Sequence, residues 1–356
     1  MIDGGDWKSA DELFKKFDVN GDGVLDQEEF FLLCEEQFGE EEVKGNEWRL
    51  RDIFEKLDVN QDRGLKGAVW KRIFTEYIKP IVKPVNVLIV VDVQNDFIEG
   101  TLALRKYTSN QDGADVVEPI NRLSKEARWD KVIYSLDWHP ENHISFYENL
   151  SLRELHPTSK ITKENAKPFD SVTFLQPHVE QTLWPRHCVM GTWGAELHKD
   201  LQILPESEQV HKGQDPDIEA CSVFTKDKPK ESSRLEKMLR KIGATDLYVC
   251  GLATDVCVKA TCLDGLKLGY KVAMIEDCCR GVDNDNIEEA KRSIVEHGGL
   301  LTNSDRVICM VNEGRRSLIM AHHAANIISK APSIPVDDKY PSTCACLLQN
   351  HIEQRS

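Results

Sequence analysis

The sequence predicts an α/β fold in which a doubly wound, mostly parallel sheet is preceded by a small all-α module. Residues 1–78 are strongly acidic, with 11 Lys and Arg against 20 Asp and Glu. From residue 85 onward, short β-rich runs alternate with longer helical segments, as parallel strands joined by crossover helices require. Between these regions, Pro80 and Pro84 disfavour helix, so residues 79–84 are predicted to be a short, stiff linker.

Length and composition are those of an ordinary globular protein. The 356 residues suffice for two or three domains, and 40% are hydrophobic and 29% charged. The net charge of −15 opposes binding to nucleic acid or anionic membranes. No apolar run approaches the roughly twenty residues of a membrane span, and the start does not resemble a signal peptide, so we expect a cytoplasmic protein. Its 11 cysteines are expected to be reduced, and a homo-oligomer is compatible with the sequence.

The acidic module contains a twelve-residue segment, residues 18–29, with regularly spaced oxygen ligands. Gly23 allows the sharp turn at the sixth position, and Glu29 supplies a carboxylate at the twelfth. This spacing resembles the calcium loop of an EF-hand, and the alternative is a solvated acidic turn. The predicted calcium ligands are Asp18, Asn20, Asp22, the carbonyl of Val24, Asp26 and Glu29.

A second copy of the loop begins at Asp58 but has lost its ligands. Arg63 replaces the turn glycine, Lys66 stands at the ninth position and Val69 replaces the terminal Glu. We therefore expect a structural role, in which two helix pairs form one EF-hand module over residues 1–78. The aromatic residues Phe54, Trp70 and Phe74 are expected to lie in its core.

Residues 85–330 are predicted to form the α/β domain. A capping box at Ser233 and Gly243 should bound one helix, and Gly269 should end the helix after Cys257. Residues 331–356, with three prolines, are predicted to be an irregular tail. The predicted strands are residues 87–91, 131–136, 208–211, 247–250, 271–275 and 307–311.

Candidate catalytic groups follow several of these strands. Asp92, Asp137 and Lys212 stand at carboxyl ends of strands, where open α/β sheets place their sites. Asp137 with His139 and the distant His187 forms a carboxylate and imidazole set that suits zinc, iron or manganese. His143 is interpreted as a local hydrogen-bond partner.

Cys257 is the candidate nucleophile. It follows a β run and opens a helix, where the helix dipole and free backbone N–H groups favour a thiolate and can hold an oxyanion. The other cysteines lack this combination and are interpreted as buried small hydrophobes or inert thiols.

Five motifs together resemble the nicotinamidases of the isochorismatase-like cysteine hydrolase family. The resemblance covers about residues 85–315. The motifs are VVDVQNDF at 90–97, DWHP at 137–140, LWPRHC at 183–188, KG at 212–213 and GLATDVC at 251–257.

The resemblance implies a catalytic triad of Asp92, Lys212 and Cys257. The thiol would attack the carboxamide carbon, and Asp92 would carry the proton to the departing ammonia. The backbone N–H groups of Ala253 and Cys257 would receive the oxyanion, with a cis peptide between Leu252 and Ala253.

The resemblance also implies how the ring is held. A divalent metal on Asp137, His139 and His187 would bind the pyridine nitrogen, and Glu219 resembles an additional carboxylate of some members. Phe97 and Trp184 look like the aromatic walls around the ring.

The expected activity is therefore hydrolysis of nicotinamide to nicotinate in NAD salvage, with calcium stabilising or positioning the first module. Two alternatives remain open at this point. One is another isochorismatase-like amidohydrolase with a different small substrate, and the other is a calcium-sensing binding protein in which the second domain is a scaffold.

Overall fold

A six-stranded parallel sheet organises the larger part of the molecule. The computed structural model describes residues 9–225 and 232–330. The strand order is β5-β2-β1-β6-β7-β8, with every neighbouring pair parallel. This confirms the predicted α/β class. The strands are β1 (Asn86–Val91), β2 (Lys131–Asp137), β5 (Glu208–Lys212), β6 (Asp246–Leu252), β7 (Lys271–Arg280) and β8 (Leu300–Thr302).

Helices cover the sheet, because its central strands are buried along their whole length and need apolar cover. The Ser233 side chain accepts from the backbone N–H of Glu236, which is one half of the predicted capping box, and Gly243 ends α9 in the left-handed conformation, as predicted. The helices of this part are α7 (Asn95–Ile98), α8 (Val117–Glu126), α9 (Arg234–Ile242), α10 (Lys259–Lys267), α11 (Asn284–Glu296) and α12 (Ser304–Glu313), with short 3₁₀ turns at Leu104–Lys106, Gly113–Val116, Tyr147–Leu152 and Trp193–Ala195.

A long excursion between β2 and β5 carries an antiparallel pair of strands, β3 (Ser171–Phe174) and β4 (Val179–Thr182). It has a small core of its own, separate from that of the main sheet. The buried members of this core are Ile144, Leu150, Ala166, Val172, Phe174 and Leu183.

The N-terminal module pairs its two loops. Leu25 and Leu65 form an antiparallel bridge with two backbone hydrogen bonds, and Phe54, Trp70 and Phe74 are buried as expected. The degenerate second loop is thus a structural partner of the first. The helices are α1 (Ala10–Phe17), α2 (Gln27–Phe38), α3 (Glu40–Val43), α4 (Glu47–Leu57) and α5 (Gly67–Ile73).

The predicted non-helical linker is wrong over its first part. A π-helical turn, Phe74–Ile78, leads directly into α6 (Lys79–Val82). Pro80 occupies the first turn of α6, a position where a missing backbone N–H costs little.

The end of the described chain departs from expectation in two ways. Residues 307–311, predicted as a strand, lie inside α12. The following helix is α13 (Leu318–Lys330). Its residues Leu318, Ala321 and Ala325 lie in the core of the N-terminal module, although residues 85–330 are predicted to belong to the α/β domain. Across the described ranges, we find no helix with the length and hydropathy of a membrane span. The predicted tail, residues 331–356, lies outside the described residues.

Candidate active site

Four neighbouring strands bring the predicted catalytic residues together. Asp92 follows β1, Asp137 ends β2, Lys212 ends β5, and Cys257 lies in a π-helical turn, Thr254–Val258, that joins β6 to α10. Because these strands are adjacent and parallel, their carboxyl ends meet at one edge of the sheet. The four side chains are buried there.

Lys212 is the hub of this cluster. Its Nζ lies 2.9 Å from Oδ2 of Asp92 and 3.5 Å from Sγ of Cys257, and it also donates to Oδ1 of Asp137. One ammonium group therefore contacts the thiol, the carboxylate expected to act as the base, and a carboxylate expected to bind metal.

Burial and this ammonium set the protonation states. Burial raises the pKa of Asp92 to about 6, although the charge of Lys212 opposes the rise. Burial also acts against ionised Asp137, but Lys212, His139 and His187 together outweigh it and hold the pKa of Asp137 at about 2. Burial raises the pKa of Cys257 well above its usual value. At neutral pH the resting site therefore holds a thiol beside an ionised Asp92.

Two residues that the sequence analysis did not single out support the carboxylates. The Ser135 hydroxyl donates to Oδ1 of Asp92 at 2.6 Å. Gln94 accepts from the backbone N–H of Asp137 and donates to its carbonyl, both at 2.8 Å. Both have a recognisable signal in the sequence: Ser135 is a polar residue inside the apolar strand β2, and Gln94 follows the apolar strand β1.

The predicted metal ligands form a compact buried group. Ligand atoms of Asp137, His139 and His187 all lie within 4.8 Å of one another. Nδ1 of His139 contacts the Gly213 carbonyl at 2.9 Å, and Nδ1 of His187 contacts the Pro185 carbonyl at 2.8 Å. These carbonyls leave Nε2 of each ring as the nitrogen available to a metal.

The chemistry of this group fits a divalent metal. Nε2 of His139 is buried and has no hydrogen-bond partner among the described residues. Burial lowers the pKa of both His139 and His187, which favours the neutral imidazole that metals bind.

Gly213 shapes the position of His139. Its φ is +67°, and a Cβ there would lie 2.4 Å from Cε1 of His139. The KG motif thus places the predicted catalytic lysine, Lys212, beside a glycine whose position leaves no room for a side chain.

Two nearby candidates stand apart from the three ligands. His143 stacks on His139 with ring centroids 4.1 Å apart, while its nitrogens contact Ser145 Oγ and the Ile218 carbonyl, as a local hydrogen-bond partner should. Glu219 does not join the compact group found in the described part of the chain, and its Oε2 accepts from Gln181 at 3.4 Å.

A cavity of about 520 Å³, counted with its open mouth, reaches these groups. Phe97 and Trp184 line it, as expected for the walls around a ring, and so do Ala253 and Cys257. The peptide between Leu252 and Ala253 is cis, as the resemblance implies. The full lining is Phe97, Leu102, Leu104, Tyr107, Asp137, Trp184, His187, Glu219, Cys221, Ala253, Val256, Cys257 and Val282.

The first loop of the N-terminal module has an arrangement that suits calcium. Gly21 and Gly23 adopt positive φ, and Oδ1 of Asp18 is buried with no hydrogen-bond partner in the described chain. The buried Glu29 carboxylate accepts from the backbone N–H of Val19 at 2.8 Å and of Asp26 at 3.2 Å, so it faces back across the loop. A cation would satisfy these oxygens.

Comparisons with known proteins agree with both parts of this architecture. The isochorismatase domain model matches residues 86–306, and the EF hand domain model matches residues 9–37. An Escherichia coli nicotinamidase is 37% identical over 203 residues, which cover 56% of this chain and 85% of that protein. A Saccharomyces cerevisiae nicotinamidase is 34% identical over 219 residues, or 59% of this chain and 95% of that protein. A solved structure of an Acinetobacter baumanii nicotinamidase pyrazinamidase superposes with a TM-score of 0.53 at 35% identity, covering 63% of this chain and 99% of that one.

Proposed function

Because the chain belongs to the isochorismatase family, and its relatives at 34–37% identity are nicotinamidases, we propose that it hydrolyses nicotinamide to nicotinate and ammonia. This activity would contribute to NAD salvage, and we propose that it takes place in the cytoplasm. The reaction needs a nucleophile, a proton carrier and a pocket that orients a flat carboxamide.

One observation carries the proposal. The Lys212 ammonium contacts the Cys257 thiol and the Asp92 carboxylate at the edge of the sheet, and the thiol lies in the wall of a cavity that Phe97 and Trp184 also line. A nucleophile with its base and a cationic neighbour is what acyl transfer through sulfur requires.

In the first half of the reaction, the Cys257 proton passes to Asp92 and Sγ attacks the carboxamide carbon. Lys212 stabilises the thiolate as it forms, and the backbone N–H groups of Ala253 and Cys257 are the proposed donors to the oxyanion. When the C–N bond breaks, the proton held by Asp92 moves to nitrogen and ammonia leaves. The product of this half is a thioester on Cys257.

In the second half, Asp92 takes a proton from water, and the hydroxide attacks the thioester carbon. The C–S bond breaks, nicotinate is released and the Cys257 thiol is restored by the proton on Asp92. Asp92 thus acts twice as base and twice as acid, which a pKa of about 6 allows near neutral pH.

We further propose that Asp137, His139 and His187 hold a divalent metal, with zinc as the first choice and iron or manganese as alternatives. When bound, the metal offers an open coordination position to the pyridine nitrogen. Glu219 lines the same cavity and is the proposed additional carboxylate, acting through water.

The first loop of the N-terminal module is the proposed calcium site, with Asp18, Asn20, Asp22, the Val24 carbonyl, Asp26 and Glu29 as ligands. The buried unpartnered Oδ1 of Asp18 supports this assignment. Calcium there would stabilise the module rather than take part in hydrolysis.

Ammonia release from nicotinamide tests the proposal directly. Wild type, Cys257→Ala and a chelator-treated sample should be measured side by side, with circular dichroism to verify folding. We expect turnover in wild type and none in Cys257→Ala, with turnover in the chelated sample restored by added metal. Folded, metal-loaded wild type that releases no ammonia would contradict the assignment.

A further inference from the structure

An aromatic side chain that the reaction does not use packs against two aromatic residues that line the catalytic cavity. Phe169 belongs to the excursion between β2 and β5, and its ring packs edge-on against two rings that line the cavity. Its centroid lies 5.3 Å from that of Tyr107 and 5.6 Å from that of Trp184, with interplanar angles of 76° and 87°. Edge-to-face pairs at these distances are attractive.

The three rings come from separate parts of the chain. Tyr107 lies between α7 and α8, whereas Phe169 and Trp184 flank β3 and β4. Phe169 therefore connects two walls of the cavity, because its ring contacts one aromatic residue of each. We call Tyr107, Phe169 and Trp184 the aromatic arch.

The backbone of Phe169 is held in an unusual conformation that presents its ring to the arch. Its φ is +75°, which side chains with a Cβ rarely adopt, and 42% of the residue is exposed. Its N–H donates to the Leu183 carbonyl at 2.6 Å, and the Leu183 N–H donates to Asp170 at 2.9 Å. The local hydrogen bonds thus hold an apolar ring at the surface instead of in the core, and strain of this kind is concentrated at functional sites.

The opposite side of the arch is also fixed. The Thr108 hydroxyl donates to Asp283 at 2.6 Å and the Ser109 hydroxyl donates to the Gly281 carbonyl at 2.6 Å. These bonds tie the segment after Tyr107 to the chain around Val282, which lines the cavity. Neither wall can widen without breaking such contacts.

We propose that Phe169 is a specificity-determining residue, which completes the aromatic arch and restricts the cavity to small, unsubstituted ring carboxamides. The substrate class rests on the proposed function. Two of the three rings line the cavity, so we expect bulky groups on a bound carboxamide ring to meet the arch that Phe169 holds in place.

The first test compares nicotinamide with 5-phenylnicotinamide in wild type and Phe169→Ala. We expect the ratio of kcat/KM for the phenyl compound to that for nicotinamide to rise at least about tenfold in the variant. The matched control is Leu175→Ala, which removes an exposed apolar side chain from the same excursion but none of the three rings of the arch, and there the ratio should not change.

The second test does not depend on turnover of nicotinamide. Alkylation of Cys257 by iodoacetamide and by the bulkier N-phenyl iodoacetamide can be followed by mass spectrometry of the Cys257 peptide. In Phe169→Ala, the rate of Cys257 alkylation by the bulky reagent should rise at least about tenfold more than the rate of alkylation by iodoacetamide. Phe169→Leu, which keeps an apolar side chain, should give a smaller effect and serves if the alanine variant does not fold.

The outcomes distinguish a failure of the proposed function from a failure of the role proposed for Phe169. Wild type that releases no ammonia, with a selective alkylation effect in Phe169→Ala, would overturn the proposed function and support the arch. If wild type is active, but folded Phe169→Ala changes neither the ratio of kcat/KM values nor the ratio of alkylation rates, the role proposed for Phe169 would be overturned and the proposed function would stand.

Discussion

Asp92 exchanges protons at every step of the proposed reaction, so its environment should govern the pH dependence of activity. Its carboxylate is buried, contacts Lys212 and accepts from Ser135. Burial raises its pKa to about 6, and the Ser135 hydrogen bond, which favours the charged form, acts in the opposite direction.

We expect kcat/KM for nicotinamide to be level above about pH 6.5 and to fall about tenfold per pH unit below about 6, because only ionised Asp92 accepts the thiol proton. Ser135→Ala removes a donor to the carboxylate, so its inflection should move to higher pH. Initial rates of wild type and Ser135→Ala between pH 4.5 and 8 measure the two pH profiles. A wild-type profile with no change between pH 5 and 7 would argue against Asp92 as the base.

Gly213 gives a prediction about the metal. In Gly213→Ala the new Cβ would displace His139, so we expect metal affinity to fall about 10- to 100-fold, the usual effect of disturbing groups that support a ligand. Metal content after dialysis measures this. Gly191→Ala is the matched control, because Gly191 has a similar φ of +73° but nothing within 4 Å of the added carbon. Equal metal loss in both variants would show that backbone strain alone is responsible.

The sequence predicted single residues well where a strand end and a motif coincided. Asp92 follows the apolar strand β1, Lys212 ends β5 and Cys257 lies in the turn after β6, and the structure brings them together around Lys212. Ser135 escaped notice because it resembles an ordinary polar residue in a strand, and its partner is 43 residues away. Contacts of this range depend on the strand order, which local patterns do not reveal.

At the scale of elements, the error at residues 307–311 is instructive. An apolar run of five residues suits a buried strand or one side of a helix, and periodicity alone does not separate them. The residues that cap the helix could have distinguished a helix from a strand. Asn303 accepts from the N–H of Arg306 at the start of α12, and Gly314 stands at its end with a φ of +71°. The prediction of a non-helical linker was wrong for a related reason, since a proline in the first turn is compatible with a helix.

Helix α13 contains His323, which should make stability depend on pH. It is buried, and burial together with the charges of Lys330 and His322 lowers its pKa to about 4, below the 6.5 of an unfolded chain. The unfolded state therefore binds the proton more strongly, and stability present above pH 6.5 is lost as the pH falls toward 4.

We expect this residue to account for about 2 kcal/mol of the stability lost between pH 7.5 and 5. Urea unfolding at the two pH values measures the loss in wild type and in His323→Gln, where it should be smaller by that amount. His297→Gln, at an exposed histidine, should lose as much as wild type. An unchanged loss in His323→Gln would show that other groups cause the acid sensitivity.

At the scale of the whole molecule, the N-terminal module and the sheet are joined by more than α6. Glu42 accepts from Arg306 at 2.9 Å and from the N–H of Leu318 at 3.1 Å, and Lys271 donates to the Pro80 carbonyl at 2.7 Å. Helix α13 adds an apolar contact, since Leu318, Ala321, Ala325 and Ile328 lie in the core of the module.

Calcium should act through this shared architecture as a stabilising ligand. We expect millimolar calcium to raise the Tm of the full chain and to change nicotinamide turnover by less than about twofold, because a ligand that binds only the folded state stabilises it. Glu29→Gln should abolish the Tm shift, whereas Asp62→Asn in the degenerate loop should keep it. A severalfold change in turnover that Glu29→Gln removes would instead indicate regulation.

Removing α13 should weaken the module. A chain that ends at Arg316 loses four side chains from that core, so we expect a lower Tm for the transition of the module and stronger binding of an apolar dye. A chain that ends at Lys330 keeps α13 and is the control. Equal melting curves for the two chains would mean that α13 contributes little to the core.

The position of α13 also bears on the order in which the protein is completed on the ribosome. Helices α1 to α5 emerge before the sheet, yet α13, which completes their core, begins some 240 residues after α6 begins. Domains generally fold as they emerge. Here α13 is translated after the strands of the sheet, so we expect the core of the N-terminal module to be completed only when most of the α/β domain has been made.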